Sequence, residues 1–87
     1  MKNESYQILK KIMDKLKQQR IYPKVVITFH NHKKIIGYIL DVKHNQIYLL
    51  KEDNGHLYVI SYTQVKELIF EDTKLIQKIY NDLENNK

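Results

Sequence analysis

The chain has 87 residues, a length for one domain, and a domain this short buries only about 60% of its unfolded surface. It has no cysteine, which excludes disulfides and thiolate metal sites as staples and makes oligomerisation a natural source of further burial. The formal charge of +5 is uneven, with nine Lys/Arg against two Asp/Glu in residues 1–34 and six against eight in residues 35–87. A basic half suits a nucleic-acid-facing surface; solvated lysine-rich helices are the alternative. No apolar run approaches the roughly 18–20 residues of a membrane span, and the polar N-terminus lacks the apolar stretch of a signal peptide. The expectation is a cytoplasmic protein.

Residues 3–20 read as an amphipathic helix. Tyr6, Leu9, Ile12, Met13 and Leu16 recur at spacings of three and four, the period of one helical face. Asn3 or Ser5 is placed to cap its start, with Glu4 at the positive end of the dipole, and Pro23 stops any continuation. Three apolar runs follow between Lys24 and Leu50, rich in the β-branched and aromatic types that suit strands. Strand one alternates Val25, Ile27 and Phe29 with Val26, Thr28 and His30. The turn His30–Lys33 contains Asn31, the residue best suited to positive φ there.

Strand two, about residues 34–42, is apolar on both faces, with Ile36, Tyr38, Leu40 and Val42 on one and Ile35 and Ile39 on the other. Gly37 inside it marks a bulge or bend that lets one strand serve two halves of a curved sheet. Lys43-His44-Asn45 is the next turn and Gln46–Lys51 the third strand. Asn54-Gly55 signals a hairpin into a fourth strand, His56–Ser61. Tyr62-Thr63-Gln64 is short enough for a single tight turn before a fifth strand, Val65–Phe70. Leu75, Ile76, Ile79, Tyr80 and Leu83 then stripe a second helix over about 72–84, opened by Glu71 and Asp72, and the tail Asn85-Asn86-Lys87 is expected to fray. Five short strands with tight connections predict a mainly β domain, a small bent antiparallel barrel with flanking helices.

A helix, five short strands and a glycine-bearing bent second strand, in that order, resemble the Sm-like family, which includes the bacterial Hfq proteins. The resemblance rests on Val25–His32 leading to Gly37-Tyr38-Ile39, and on Leu57–Leu68 as an apolar strand, a tight turn and a short strand. It covers about residues 4–70 and leaves the C-terminal helix outside the common core. His32 stands where the family usually has a turn glycine, and Lys43 where its Asp-x-x-Met-Asn pattern has the Asp. The resemblance implies a ring of six or seven subunits, with the fourth strand of one subunit paired to the fifth of the next. Tyr58, Ile60, Val65 and Leu68 are the interface candidates.

The resemblance also implies single-stranded RNA held at an inner mouth formed by two turns. Such a site needs a flat group for a base, an amide for its edge and a cation for phosphate. In this chain His44 and Tyr62 could stack, Asn45 could read an edge, and Lys43 could meet phosphate, with Lys10 and Lys11 on the basic helix reaching the RNA backbone. The last turn has Ser61-Tyr62-Thr63 and no basic residue. The four histidines lack the close pair that zinc sites favour. No phosphate loop, Gly-x-Ser-x-Gly elbow or His-Glu-x-x-His is present, so neither a cofactor nor an enzyme is expected. The first helix offers too little apolar surface for a membrane anchor. Two functions remain: a ring-forming RNA binder, and a small barrel that docks protein partners without binding RNA.

Overall fold

The computed structural model describes residues 3–85. The side chains of Asn3 and Glu4, named above for the start of the first helix, and the tail residues Asn86 and Lys87 lie outside the described set. Helix α1 is Asn3–Gln18, and its stripe Tyr6, Leu9, Ile12, Met13 and Leu16 is buried. The helix ends before Pro23 is reached. Ile21 N–H donates to Leu16 O and Arg20 N–H to Lys17 O, with Arg20 at φ 58°. This is a Schellman closure, which a left-handed residue makes possible.

The strands are β1 (Lys24–Phe29), β2 (Lys34–Lys43), β3 (Gln46–Lys51), β4 (Leu57–Ser61) and β5 (Val65–Phe70). They form one antiparallel sheet in the order β4-β3-β2-β1-β5. The two edge strands, β4 and β5, are joined by only the 3-10 turn Tyr62–Gln64. Three residues cannot cross a flat five-stranded sheet with strands about 4.8 Å apart, so the sheet must roll until its edges approach. Tyr62 N–H donates to Asn45 O and His30 N–H to Gln64 O, which ties the turn to both halves of the roll.

β2 makes the roll possible. Residues 34–38 pair with β1 and residues 37–43 with β3, so the two ladders overlap only at Gly37 and Tyr38. A Cβ at Gly37 would meet the carbonyl oxygen of Leu50 at well under contact distance and Leu49 Cγ at 3.0 Å. The glycine is required for close approach. A bulge at Leu40 then shifts the register between Ile39 and Asp41. It corrects the sequence reading of the strand: Val42 turns inward to join Ile35 and Ile39 in the core, whereas Ile36 and Tyr38 face outward and are exposed. One extra residue swaps the faces of everything beyond it.

The β1–β2 turn holds another correction. Positive φ falls on His32, at 68°, and not on Asn31. Asn31 instead accepts Lys33 N–H through its side-chain oxygen, an Asx turn. The β2–β3 turn has positive φ at both His44 and Asn45, as a type I′ hairpin requires. Helix α2 is Thr73–Asn85, capped by the Asp72 carboxylate, which accepts Leu75 N–H. Its Ile79 joins the core, with Leu75, Ile76 and Leu83 packed against it. The core is therefore the inside of the roll, closed by the apolar face of α1 and flanked by α2. Among the described residues no helix is long and apolar enough to cross a membrane.

Candidate nucleic-acid interface

Two segments far apart in sequence meet at one corner. Asn45 N–H donates to Tyr6 Oη at 2.9 Å, and Lys10 Nζ reaches Val42 O at 3.3 Å. These contacts lock α1 onto the β2–β3 turn. Lys10, Lys43, His44 and Asn45 therefore share a corner, with Lys11 exposed beside Lys10 on the helix. The type I′ turn pushes His44 and Asn45 out into solvent. Lys10 is partly engaged by Asp14 at 3.6 Å. Lys11 and Lys43 have no carboxylate within salt-bridge distance among the described residues.

Asp41, just before the turn, is held by Lys17 Nζ at 2.9 Å and by Val42 N–H. Burial pushes its pKa up. The hydrogen bonds from Lys17 and Val42 and the charges of Lys17 and Lys43 outweigh it and keep the carboxyl below its usual value. Asp41 is therefore ionised at neutral pH and offsets part of the local positive charge. Lys17 is raised in turn, chiefly by its hydrogen bond to Asp41.

Tyr62 does not join this corner as a stacking platform. It is only 5% exposed, with its ring edge-on to Tyr6 at 5.1 Å and an interplanar angle of 67°. Burial raises its hydroxyl pKa. A ring closed beneath α1 offers no face to a base, so the expected stacking role is corrected to a core role. The aromatic that the corner does present was missed in the sequence. Lys43 Nζ lies 5.3 Å from the centroid of the half-buried Tyr48 ring, a cation–π contact. Its signal was the type I′ turn, which sets Lys43 opposite Gln46 and brings the lysine back over β3.

The four interface candidates divide. Ile60 and Val65 are buried inside the same chain, so their side chains give nothing to a neighbour: both point into the roll. Tyr58 is exposed and Leu68 half-buried. The apolar side chains open at the sheet edges are Leu57 at 56%, Val59 at 51% and Ile69 at 50% exposure. Leu57 and Val59 are the outward half of β4's alternation, and Ile69 is the outward apolar residue of β5, on the face it shares with Glu67.

Among the described residues no three His, Cys, Asp or Glu converge as a metal site would require. Scans of this chain against protein-family models, curated proteins and solved structures find no match.

Proposed function

We propose that this chain is a non-catalytic, cytoplasmic RNA-binding protein of the Sm-like kind, acting as a homo-oligomeric ring of six or seven subunits. The observation that carries the reading is the corner itself. It brings together Lys10 and Lys43, a flat ring at His44 and another at Tyr48, and the amide of Asn45, with Lys11 exposed on the same helix as a further cation. Those are the three kinds of group that a single-stranded RNA contact uses. The free edges β4 and β5, each with outward apolar side chains, support the ring, because head-to-tail pairing removes both exposed edges at once.

Titration with uridine-rich and adenine-rich oligonucleotides at 50 and 200 mM salt tests the RNA reading. Three phosphate contacts give a log–log slope of about −2 and a loss of roughly twentyfold between the two salts. Absence of binding at 50 mM overturns it. Light-scattering mass tests the ring separately.

A second reading, a protein-assembly barrel that does not bind RNA, draws on two observations. Tyr62 is buried, and the apolar groups at the edges are half exposed. A ring by mass that ignores both oligonucleotides at low salt would favour it.

A further inference from the structure

The rolled sheet has two mouths. Helix α1 locks onto the mouth at the β2–β3 turn through Tyr6 and Lys10. The other mouth, at the β1–β2 turn, opens into a groove of about 610 Å³ to which neither α1 nor α2 contributes and which Thr63 and Gln64 of the 3-10 turn border. Lys34 and Lys43 are the two ends of the bent strand β2, and the turn Tyr62–Gln64 runs between groove and corner, with Tyr62 N–H on Asn45 O and Gln64 O accepting His30 N–H.

Its floor is apolar, made by Phe29, Ile35 and Tyr58, and its rim carries Lys33, Lys34 and Lys51. His30 and the amides of Asn31 and Gln64 also border it, and no carboxylate does. Lys51 Nζ sits 5.7 Å from the Tyr58 ring centroid and 3.5 Å from Asp53, whose carboxylate is largely exposed. Lys33 and Lys34 have no acidic partner within salt-bridge distance among the described residues.

The geometry points to this groove as a binding site for a small amphipathic anion: an apolar or aromatic body against Phe29, Ile35 and Tyr58, with a carboxylate or phosphate head among Lys33, Lys34 and Lys51. The volume falls in the 300–1,000 Å³ range of small-molecule pockets, which combine an apolar lining with a few polar groups. Charge selects the head, since three ammonium groups around an apolar floor reject cations and leave a neutral tail without a partner for its polar end. A strand of RNA is the competing occupant, because His30 and Tyr58 both present exposed rings at the groove, and oligouridylate is therefore one arm of the test. The inference does not rest on the RNA reading, which draws on a separate set of residues at the β2–β3 turn and on α1.

The probe is 1-anilinonaphthalene-8-sulfonate, an amphipathic anion whose fluorescence rises on apolar binding. Decanoate and decyl phosphate are expected to displace it, and decyltrimethylammonium and decanol to leave it bound. Lys34→Gln with Lys51→Gln should weaken the probe about tenfold, and Tyr58→Ala several-fold, while Lys11→Gln with Lys43→Gln at the other mouth leaves it unchanged. Displacement by a short peptide ending in a free Phe carboxylate, but not by its amide, would identify a chain terminus as the source of the anion; displacement by decanoate alone identifies a free acid. Backbone amide shifts on adding decanoate to the unmodified chain should concentrate at Lys33–Ile35, Lys51, Tyr58 and Gln64, which needs no variant to fold. Equal displacement by decanol, displacement by oligouridylate, or shifts confined to α1 and the β2–β3 turn would each overturn the proposal.

Discussion

Tyr62 is the third residue of a contact that also involves Tyr6 and Asn45: its ring packs on Tyr6, its N–H donates to Asn45 O, and Asn45 N–H donates to Tyr6 Oη. Tyr62→Ala removes a buried ring and should cost about 3 kcal/mol or more, whereas Tyr62→Phe keeps the ring and should cost well under half of that. Urea midpoints of the two variants check this. An RNA-contact role would instead leave stability alone. Gly37→Ala should be destabilising by about 1–3 kcal/mol, because the new methyl meets backbone at Leu50 that cannot swing aside. His32→Gly should move the other way, by about 0.5–1 kcal/mol, since a left-handed φ costs a side chain roughly that much. A lower midpoint for His32→Gly would show that the imidazole makes a contact worth more than the backbone relief.

At Asp41 the sign of the pH dependence follows from its depressed pKa. The folded chain holds the carboxyl below its unfolded value of about 4, so the folded state binds fewer protons there. That stabilisation is fully present above the unfolded pKa and is lost as pH falls through the folded one. Asp41→Asn should flatten the stability profile below about pH 4 relative to the parent chain; an unchanged slope in acid urea titrations would assign the acid sensitivity to other carboxylates.

Among the elements, α1 has two jobs that its sequence pattern does not separate. Its apolar stripe closes the inside of the roll. Its Tyr6 hydroxyl and Lys10 ammonium hold the β2–β3 turn, and with it His44 and Asn45. Tyr6→Phe keeps the stripe and removes the acceptor of Asn45 N–H. It should cost about 1 kcal/mol and speed hydrogen exchange at Asn45 more than at the β3–β4 turn. Equal acceleration at both turns would mean that the bond does not hold the corner. The β2 bulge matters at the same scale. It places Val42 in the core and keeps Lys43 at the turn, so the corner depends on one unpaired residue, Leu40.

For the whole molecule, a rolled sheet with both edges free and a small core is a unit with more apolar edge than it can cover. Leu57→Lys with Val59→Lys changes only outward, exposed positions. The double variant should keep its circular dichroism and thermal midpoint while its light-scattering mass falls to that of one chain. If the parent chain already runs as a monomer, the ring proposal fails without touching the RNA titration, because the corner lies within one chain.

Much of this architecture was legible in the amino-acid sequence. The α1 stripe, the glycine in β2, the Asn-Gly turn and the five short apolar runs are local patterns, and local patterns are set by periodicity and φ preferences that each residue carries with it. The lysines, His44 and Asn45 of the corner were legible for the same reason, as polar residues in turns and on a helix face. What tertiary structure decided was every feature that depends on register. The Leu40 bulge turned Val42 inward, the roll buried Ile60, Val65 and Tyr62, and His32 took the left-handed turn position while Asn31 bonded across it. The open groove of Phe29, Lys34, Lys51 and Tyr58 exists because β1, β2, β3 and β4 end together at a mouth that no helix caps. A side chain's face is determined by how many residues separate it from the last bulge and by which strand lies beside it, and those quantities are settled only when the strands pair.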